Sequence, residues 1–397
     1  MSYERPFEGL RAVDLSQGIA GPYCGSLLAL HGAEVIKIEP PEGDWSRRLG
    51  ERIGDQSALA ICGNRGKRSI ALDLKREEAK AIALDLARRA DVLIEGFRPG
   101  VMDRLGLGYE AVRIDNPRIL YLSVSGYGQR GPLREQPCTD TVVQAFSGLM
   151  SINVGADGIP HRVGFPVADM VTALYAFQAL ATAIHARAGE TVGRHLDVSL
   201  IQSAAAIQSG AITEHVLSGG APKVLNAPAG AYRTADGWLA ITLVTEAQFV
   251  AMCEAMELAE LPADPRFADF QSRAAHLDAL VPVIQARLRE RDTAAWCARF
   301  DAAGALAQPV HDHGQWLEHA HVRAIDAAPR VAQPDVGDVP MPRIPGMAPI
   351  AADDPRAVAP HIGEHAREIL EAYGRDAESI ERLAETGVVR IPALGSG

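Results

Sequence analysis

The first 128 residues alternate between short apolar runs and segments with helical periodicity. LRAVDL is followed by the helical pattern AGPYCGSLLALHG and then by AEVIKIE, which together predict a β-α-β unit over residues 11–39. A polar, glycine-rich stretch at 41–67 leads into a predicted helix that begins at Ala71, and DVLIEGF and RILYLSVSGYG are further predicted strands. Parallel strands need crossover connections, which are usually helices. The alternation therefore predicts an α/β fold with a parallel sheet and helices on both faces.

The pattern changes beyond the middle of the chain. Asp169–Ala188 and SLIQSAAAIQSGAITEHVL predict two long helices, with the strand GRHLDVSL between them. From about residue 226 the hairpin GAYRTADGWLAITLV is followed by helical segments at 246–259 and 271–302, which predicts a smaller α+β domain. Residues 326–360 contain eight prolines and predict an extended connection, and GEHAREILEAYG and AESIERLAETG predict two short helices after it.

The composition limits the class of protein. A net charge of −11 makes nucleic acid an unexpected partner for the chain as a whole. No uninterrupted apolar stretch reaches the length of a membrane span, and the N-terminal MSYERPFEGL lacks the apolar core of a signal peptide. The five cysteines are scattered and form no C-x-x-C pair, which is typical of a reducing compartment. These features predict a cytoplasmic protein.

The first βα turn carries three glycines, Gly18, Gly21 and Gly25. Glu39 ends the next strand, where a ribose-binding acid would lie in a dinucleotide-binding fold. The spacing is G-x-x-G-x-x-x-G, however, and Pro22 stands where that motif needs a small residue. A structural β-α-β unit or a different nucleotide-like ligand is favoured over a nicotinamide cofactor. The chain has neither a G-x-S-x-G elbow nor a P-loop motif.

Basic residues are concentrated in two loops that follow predicted strands. Arginine and lysine form charge-assisted hydrogen bonds with phosphates, so this pattern favours an anion site. The residues are Arg65, Lys67, Arg68, Lys75, Arg98 and Arg104. Four histidines lie in HDHGQWLEHAH at 311–321, but without a helical His-x-x-x-His pair they are interpreted as a surface cluster, and no metal site is predicted.

Asp169 is the only acidic residue in GFPVADMVTALYAFQAL, residues 164–180. Asp is a preferred N-cap residue and a helix is predicted to follow, so capping alone accounts for its position. A carboxylate at a helix N-terminus also stays ionised because the helix dipole favours the anion, and apolar surroundings remove water from it. Such a carboxylate can attack an activated acyl group. Both interpretations, cap and nucleophile, are open on these residues alone.

Seven motifs occur in order along the chain. They are LRAVDLSQGIAGPYCGSLLALHGAEVIKIEPPEGDWSR, NRGKRSIALDLK, ADVLIEGFRPGVMDRLGLG, SGYGQRGP, DTVVQAFSGLM, VADMVTALYA and GEHAREIL. This ordered set resembles the class III, formyl-CoA-transferase-like, CoA-transferases, and it spans nearly the whole chain. The racemases of 2-methylacyl-CoA share the fold of that family.

The resemblance implies a Rossmann-like large domain built from both ends of the chain, with a small domain between them. In this sequence the large domain would cover 1–204, and C-terminal helices at 361–397 would return to it. The small domain would cover 229–315, with linkers at 205–228 and 316–360. The resemblance also implies an interlocked homodimer in which each chain threads through its partner, which suits the long proline-rich connection.

The resemblance further assigns site residues. Asp169 aligns with the family aspartate, which attacks the donor acyl-CoA to give a mixed anhydride and then an aspartyl-CoA thioester. Coenzyme A thioesters are therefore expected as substrates, and no permanently bound cofactor is implied. The positions that match the CoA contacts of the family are Gly18, Ile19, Ala20, Leu72, Lys75, Gly96, Phe97 and Arg104.

Two departures from the family patterns bear on the reaction. The racemases carry a His-Asp pair in the segment aligned with PCTDTVV, whereas here Thr139 takes the histidine position and Asp140 remains. Proton abstraction next to a thioester needs a base and an acid on opposite faces, so the loss of histidine favours transfer over racemisation. Some formyl-CoA transferases close a run of glycines over the anhydride, but this chain has only NAPAGAY at 226–232. That difference argues against oxalate or formate as the substrate.

The sequence therefore predicts a CoA-transferase that moves CoA from a donor thioester to a small carboxylic acid. A dicarboxylic acid is favoured by the habits of the family and by arginines with no assigned partner, such as Arg47, Arg48 and Arg162. Thr139 and Asp140 are expected to support the acceptor site. Two alternatives stay open: an acyl-CoA racemase or isomerase on the same fold, and a nicotinamide-dependent oxidoreductase that uses the β-α-β unit.

Overall fold

The structure is a computed structural model that describes residues 4–155, 158–220 and 226–392. Its strands are β1 (Arg11–Asp14), β2 (Glu34–Glu39), β3 (Arg52–Ile53), β4 (Gln56–Ser57), β5 (Arg68–Leu72), β6 (Val92–Glu95), β7 (Leu120–Ser125), β8 (Arg194–Ser199), β9 (Gly230–Arg233), β10 (Trp238–Thr242), β11 (Leu306–Pro309), β12 (Arg330–Gln333), β13 (Gly337–Pro340) and β14 (Val389–Arg390).

The α-helices lie mainly between these strands. They are α1 (Ala20–Leu30), α2 (Ala58–Asn64), α3 (Glu77–Arg88), α4 (Val101–Arg104), α5 (Tyr109–Asp115), α6 (Asp140–Phe146), α7 (Val167–Ala186), α8 (Leu200–Ile207), α9 (Ser209–Leu217), α10 (Glu246–Ala255), α11 (Phe270–Ala275), α12 (Leu277–Leu288), α13 (Thr293–Ala303), α14 (His313–Glu318), α15 (Ala320–Ala324), α16 (Ala366–Ala372) and α17 (Ala377–Glu385).

The main sheet contains seven of the described strands, in the order β14-β5-β2-β1-β6-β7-β8. The strands from β5 to β8 in this order run parallel to one another, and β14 pairs antiparallel with β5 at one edge. From β1 the chain adds β2 and β5 on one side and then β6, β7 and β8 on the other. The strand order therefore reverses between β1 and β6. Ligands of open α/β sheets bind at such a switch point, outside the carboxyl ends of the strands.

Two apolar cores cover the two faces of the main sheet. Because side chains alternate along a strand, neighbouring residues such as Leu93 and Ile94 of β6 reach opposite faces. Leu93 belongs to the core formed with α3, α4, α5, α16 and α17. Ile94 belongs to the core formed with α1, α7 and α8. The helix α3 supplies its core with Ala79, Ala83 and Leu86, which recur at helical spacing and form one apolar stripe.

Helices α1 and α7 pack against each other through small residues. Ala20 and Cys24 of α1 share a core with Ala168, Ala173 and Ala176 of α7, and these short side chains permit close packing. Each helix lies in a crossover between parallel strands, α1 between β1 and β2 and α7 between β7 and β8. Both helices therefore run antiparallel to the parallel strands and begin at the edge of the sheet where those strands have their carboxyl ends.

A buried ion pair joins β1 to the segment before β5. The Lys67 ammonium lies 2.6 Å from the Asp14 carboxylate and also donates a hydrogen bond to the carbonyl of Pro22 at 2.7 Å. Gly25 of α1 faces this pair, and a Cβ at that position would lie 2.7 Å from an Asp14 carboxylate oxygen. Burial lowers the pKa of Lys67 to about 8, although the negative charge of Asp14 opposes that shift. Gly25 is thus needed for α1 to approach the pair.

The chain divides into two compact units. One contains the residues up to Gly210 and those from Ala328 onward, and the other contains Ala211–Ala327. The second unit has an antiparallel sheet in the order β11-β10-β9, and its core includes Phe249, Trp296 and Phe300. The hairpin β12–β13 belongs to the first unit.

Most of the predicted elements are confirmed. The predicted β-α-β unit corresponds to β1, α1 and β2, the predicted hairpin to β9 and β10, and the two C-terminal helices to α16 and α17. The helix predicted to begin at Ala71 starts too early, because Ala71 lies in the buried strand β5 and α3 begins only at Glu77. The alternation of side chains in β5 is short and merges with the helical pattern of α3. Periodicity alone therefore did not separate the strand from the helix.

Other differences concern segments rich in glycine, alanine or proline. The polar stretch at 41–67 contains β3, β4 and α2, and α2 ends at Asn64, just before a turn that includes Gly66. The long helix predicted after β8 is divided at Gln208 into α8 and α9. The segment 326–360, predicted as extended, contains the β12–β13 hairpin.

Helix α7 is long and apolar enough to cross a membrane by length and composition alone, with a mean hydropathy of 1.5. One such helix is weak evidence, because the core helices of globular proteins satisfy the same criteria. Ala173, Ala176 and Leu180 pack into the core on the main sheet. Of the 18-residue apolar stretch of α7, only 33% is buried within this single chain, so much of the helix surface is left uncovered.

Candidate active site

Loops from the carboxyl ends of β1 and β6 meet at the switch point of the main sheet. Gly96 directly follows β6, and a Cβ at this position would lie 3.2 Å from the Cβ of Ser16 in the loop after β1. The lack of a side chain at residue 96 thus lets the two loops approach closely. Two of the segments predicted to bind CoA, Gly18–Ala20 and Gly96–Phe97, are therefore neighbours at this edge.

The loop after β1 is held in one conformation by its neighbours. Gly18 has a φ of +87°, and its N–H donates to the two carboxylate oxygens of Asp44 at 3.0 and 3.1 Å. The ring of Trp45 would lie 2.4 Å from a Cβ at residue 18, so glycine is needed for both backbone geometry and space. Ile19 stands at the N-cap position of α1, whereas Ala20 is buried in the core and can offer a ligand only its backbone.

The glycine spacing of this loop serves packing within the protein. A Cβ at Gly21 would lie 2.3 Å from the Cβ of Ser16, and Gly25 faces the Asp14–Lys67 pair. Glu39 is buried and receives two hydrogen bonds from the Arg47 guanidinium, both 2.8 Å long. Glu39 is therefore not available to bind a ribose, which removes the main support for the dinucleotide hypothesis.

An apolar cleft of about 180 Å³ lies at the carboxyl ends of β1, β2, β5 and β6. Leu72 and Phe97 belong to its lining, together with Ile38, Leu105 and the exposed Lys75. A flat aromatic group would fit against such apolar walls. The structure thus brings together three of the residues that the sequence assigned to CoA: Leu72, Lys75 and Phe97.

A larger cavity of about 600 Å³ lies beside the loop after β6 and is lined by Arg98, Arg104 and Arg134. Arg134 is paired with Glu135 at 3.1 Å. Within the described part of the chain, the side chains of Arg98 and Arg104 form neither a hydrogen bond nor an ion pair. Guanidinium groups form charge-assisted hydrogen bonds with phosphates, so Arg98 and Arg104 could bind one in this cavity, whose lining also includes Asp103 and Glu135.

The other basic residues predicted for the anion site are committed elsewhere. Lys67 is paired with Asp14 in the core. Arg65 is buried and donates to the carbonyl of Ala357 at 3.0 Å, and Arg68 is paired with Glu34. The prediction was therefore wrong for these three residues, because a run of basic residues at the start of a strand was divided between the core and the surface.

A polar annex of about 200 Å³ adjoins the arginine cavity and shares with it Arg98, Gly100 and Gln129. Glu95 and Ser123 lie opposite each other on β6 and β7, and the hydroxyl of Ser123 lies 2.9 Å from Nε2 of His195 on β8. Burial raises the pKa of Glu95 to about 7.

Asp169 lies in the first turn of α7, at the carboxyl edge of the sheet. The N-cap position belongs to Pro166, so the capping interpretation of Asp169 is wrong. Among the described residues, no group donates a hydrogen bond to the Asp169 carboxylate. Burial and the charge of Asp140 raise its pKa to about 7, which corrects the expectation that the helix dipole keeps it fully ionised.

Asp140 supplies the capping group that α7 lacks in its own sequence. One of its carboxylate oxygens accepts the backbone N–H groups of Ala168 at 2.7 Å and Asp169 at 3.2 Å. The other accepts from the side-chain amide nitrogen of Gln144, whose side-chain oxygen Oε1 in turn accepts the N–H of Val163 at 2.8 Å. Asp140 therefore ties α6, α7 and the segment before α7 together beside the Asp169 carboxylate.

Other predicted site residues are less closely tied to this centre. Thr139 is exposed at the N-cap position of α6 and makes no capping hydrogen bond there. Arg47 is buried against Glu39, so the expectation that it is free to bind a substrate is wrong. Arg48 and Arg162 are exposed and donate to backbone carbonyls.

The histidines at 311–321 lie in or beside α14 and α15. The rings of His311 and His319 are 5.5 Å apart, and most of the segment is exposed. The described residues contain no group of three or more His, Cys, Asp or Glu side chains placed to hold a metal ion.

Several residues of this edge were missed by the sequence analysis. Glu95 and Ser123 are polar residues near the ends of otherwise apolar strands, and this pattern was a usable signal for a site at the sheet edge. His195 had no such signal, because its partner Ser123 lies on another strand. Asp44 and Trp45 act on Gly18 from 26 or more residues away in the chain, which only the folded structure reveals.

Comparison with known proteins identifies the relatives of this chain. The chain is 39% identical to the acetyl-CoA:oxalate CoA-transferase of Acetobacter aceti over 315 residues, which cover 77% of this chain and 81% of that protein. It is 32% identical to the succinate–glutarate CoA-transferase of Agrobacterium fabrum over 401 residues, covering 96% and 97% of the two chains.

Solved structures and a family model agree with these relatives. A CAIB/BAIF family protein from Brucella suis superposes with a TM-score of 0.81 at 29% identity, covering 93% of this chain and 100% of that chain. The family model described as CoA-transferase family III matches residues 7–366. The chain therefore belongs to CoA-transferase family III.

Proposed function

We propose that this protein transfers CoA from a donor acyl-CoA to a small carboxylic acid, with Asp169 as the covalent nucleophile. One observation carries the proposal. The Asp169 carboxylate receives no hydrogen bond from the described residues, and it stands at the same edge of the sheet as an apolar cleft and a cavity with two unpaired arginines. This combination suits a reaction between a carboxylate and a large, phosphate-bearing thioester.

The proposed CoA site extends along the carboxyl ends of β1, β5 and β6. The adenine ring would lie in the cleft between Leu72 and Phe97, with Lys75 beside it. The phosphates would bind Arg104 and Arg98 in the adjoining cavity. The backbone of Gly18, Ile19 and Ala20, together with that of Gly96, would line the path from these groups toward Asp169.

In the first half of the proposed reaction, Asp169 attacks the carbonyl carbon of the donor thioester. The C–S bond breaks, CoA leaves as a thiolate, and Asp169 becomes a mixed anhydride with the donor acyl group. The thiolate then attacks the aspartyl carbonyl carbon, which releases the donor carboxylate and leaves an aspartyl-CoA thioester. Backbone N–H groups would have to stabilise the oxyanions of these steps. Those of Ala168 and Asp169 already donate to Asp140, so other N–H groups would take this role.

In the second half, the acceptor carboxylate attacks the carbonyl carbon of the aspartyl-CoA thioester. The thiolate leaves again, a second mixed anhydride forms, and the thiolate attacks the acceptor carbonyl carbon. The acceptor leaves as an acyl-CoA, and the Asp169 carboxylate is regenerated. Each intermediate is an activated acyl derivative, so the transfer needs no input from ATP.

We propose a dicarboxylic acid as the acceptor. The relatives named above act, by their names, on oxalate and on succinate and glutarate, all of which are dicarboxylates. The oxalate-named relative keeps oxalate among the candidates, although the NAPAGAY segment argued against it. Arg48 and Arg162 remain candidates for the second carboxylate because both are exposed and neither is paired with an acidic side chain in the described residues.

The two alternative functions receive less support. A racemase or isomerase would need a second proton-transfer group near residue 139, and Thr139 offers only a hydroxyl. An oxidoreductase would need an acid free to bind the ribose, but Glu39 is committed to Arg47. Deuterium incorporation at the α-carbon of a 2-methylacyl-CoA, and turnover of NADH, would reveal these activities directly.

We also propose that the protein forms the interlocked homodimer that its resemblance to the class III CoA-transferases implies. The uncovered surface of α7, including Leu174 at 53% exposure, supports a partner subunit at this face. Light scattering after gel filtration would give twice the chain mass of 42.3 kDa for a dimer. A monomer at micromolar concentration would contradict this part of the proposal.

A panel of acids tested against acetyl-CoA and succinyl-CoA is the direct test of the proposed function. We expect CoA exchange with at least one dicarboxylic acid and its loss in the Asp169→Ala variant. Retention of full activity in that variant with every active pair would rule out Asp169 as the nucleophile.

A further inference from the structure

Glu95 connects the polar annex to the loop that is proposed to bind CoA. It is the last residue of β6 and only 4% exposed, and its carboxylate accepts the backbone N–H of Phe97 at 2.8 Å. Phe97 lines the apolar cleft, and Arg98, the next residue, lines the arginine cavity. The Glu95 carboxylate is therefore in direct contact with the loop between the two halves of the proposed CoA site.

The neighbours of Glu95 on the sheet are polar. Ser123 lies opposite it on β7, and Asp197 lies opposite Ser123 on β8. The Ser123 hydroxyl is within hydrogen-bond distance of His195 Nε2 at 2.9 Å. Burial lowers the pKa of His195, which favours the neutral ring.

The helices over the annex add further carboxylates. Asp103 comes from α4 and Glu110 from α5, and Arg98 is the basic residue of the lining. The rings of Tyr109 and Tyr121 lie against the His195 ring. Burial is the main cause that raises the pKa of Glu95 to about 7, and the negative charges of Asp103 and Asp197 add to it.

We propose that Glu95 takes up a proton when CoA binds, so that CoA affinity falls as the pH rises through neutrality. This inference rests on the proposed function, because it requires CoA phosphates in the arginine cavity. Bound phosphates would bring negative charge close to the annex and would neutralise Arg98. Both effects favour the protonated form of a nearby carboxyl group.

The two equilibria are linked, so the effect must appear in both directions. If CoA binding raises the proton occupancy of Glu95, protonation of Glu95 must strengthen CoA binding by the same free energy. A protonated Glu95 still has an oxygen that can accept the N–H of Phe97, so the loop keeps its shape while the repulsion of the phosphates is removed.

Calorimetry with CoA alone tests this inference without knowledge of the acyl donor. CoA binding would be measured at pH 7.5 in buffers of different ionisation enthalpy, which gives the number of protons taken up. The 3′-phosphate of CoA is largely ionised at that pH, since phosphate monoesters have a second pKa of about 6. Asp169, whose pKa is also about 7, contributes to the uptake of every variant that retains it. We therefore expect the Glu95→Gln variant to take up roughly a few tenths of a proton per CoA fewer than the wild-type protein.

Two control variants separate Glu95 from its neighbours. Glu110→Gln removes a charge from the same cavity wall, where Glu110 is exposed and paired with Arg113. His195→Asn removes the histidine of the annex, whose Nε2 lies 2.9 Å from the Ser123 hydroxyl. We expect both variants to retain the wild-type proton uptake.

The outcomes are distinct. Proton uptake that is smaller only in Glu95→Gln supports the inference. CoA binding without proton uptake by the wild type, or equal uptake by the wild type and Glu95→Gln, overturns it and leaves the proposed function intact. Uptake that is lost in His195→Asn but kept in Glu95→Gln assigns the proton to the histidine and also overturns it. No binding of CoA at all would overturn the proposed function itself.

Discussion

The carboxylate of Asp140 accepts the backbone N–H of Asp169 at 3.2 Å, so acidic residues from α6 and α7 meet at the N-terminus of α7. The same oxygen accepts the N–H of Ala168. Asp140 thus uses the capping groups that would otherwise help to keep Asp169 ionised. Its negative charge, added to the effect of burial, keeps the pKa of Asp169 near 7. The ionisation of the proposed nucleophile therefore depends on a neighbouring acid.

The pH dependence of the transferase activity should report this relationship. Attack by Asp169 requires the ionised form, so activity should rise with pH through the pKa of about 7. Asp140→Asn removes a negative charge but keeps an oxygen that can accept the N–H groups of α7. We expect the acidic limb of the kcat/KM profile to move to lower pH in this variant.

A matched control for that profile is Glu135→Gln. Glu135 is exposed, paired with Arg134, and close to Asp140 in the sequence. The control should leave the acidic limb in place. An unchanged limb in Asp140→Asn would mean that Asp140 does not set the ionisation of Asp169.

The stability of the protein should depend on pH through Asp169. Its folded pKa, about 7, lies above its ordinary value of 3.8, so the folded state binds the proton more tightly than the unfolded state. The resulting stabilisation is full below pH 3.8 and is lost as the pH rises through 7. Asp169→Asn has no titratable group at this position. The free energy of unfolding of the variant minus that of the wild type should therefore be about 1–2 kcal/mol larger at pH 8 than at pH 5, after allowance for the partial exposure of Asp169.

Denaturant unfolding of both proteins at the two pH values measures that difference. Asn is close in size to Asp, so the comparison changes the charge with little change in packing. An equal difference between wild type and variant at pH 5 and pH 8 would contradict the raised pKa of Asp169.

The buried pair of Lys67 and Asp14 should contribute strongly to folding. Lys67→Met removes the cation and leaves the Asp14 carboxylate without its partner in the core. Such changes cost about 3–5 kcal/mol. Lys80→Met, which breaks an exposed pair with Glu77, is the control and should cost about 0–1 kcal/mol. Equal free energies of unfolding for the two variants would show that the buried pair stabilises the fold no more than the exposed pair does.

Arg104 should bind a phosphate of CoA. Arg104→Ala removes a charge-assisted contact worth about 1.5–3 kcal/mol, which corresponds to a roughly 10- to 150-fold higher Kd for CoA. Arg113→Ala is the control, because Arg113 is also exposed but is paired with Glu110 at 2.6 Å. The two variants would be compared by calorimetry at low and moderate salt. Similar affinities would place the phosphates elsewhere.

The sequence predicted the parallel sheet because each strand and helix carries its own periodicity. The buried strand β5 was missed because its apolar residues run directly into the pattern of α3, and the strand β14 because it has two residues. The pairing of β14 with β5 joins residues more than 300 positions apart, and local periodicity holds no information about such contacts.

The site was predicted only in part, because its contacts also depend on how the chain folds and not on local sequence patterns alone. Leu72 and Phe97 came from motifs, and the structure places both in one cleft. Residue type alone could not show that Arg47 forms a buried ion pair with Glu39, since a paired arginine and a free arginine look alike in a sequence. The raised pKa of Asp169 also depends on Asp140, which packs against it only after α6 and α7 have formed.

The most direct test of the proposed mechanism is to trap the acylated enzyme. The protein would be incubated with a donor acyl-CoA, treated with hydroxylamine, digested and examined by mass spectrometry, with Asp169→Asn as the control. We expect a hydroxamate on the peptide that contains Asp169 and none in the variant. Actively transferring enzyme that yields no modified Asp169, or a hydroxamate on a different residue, would contradict a covalent role for this carboxylate.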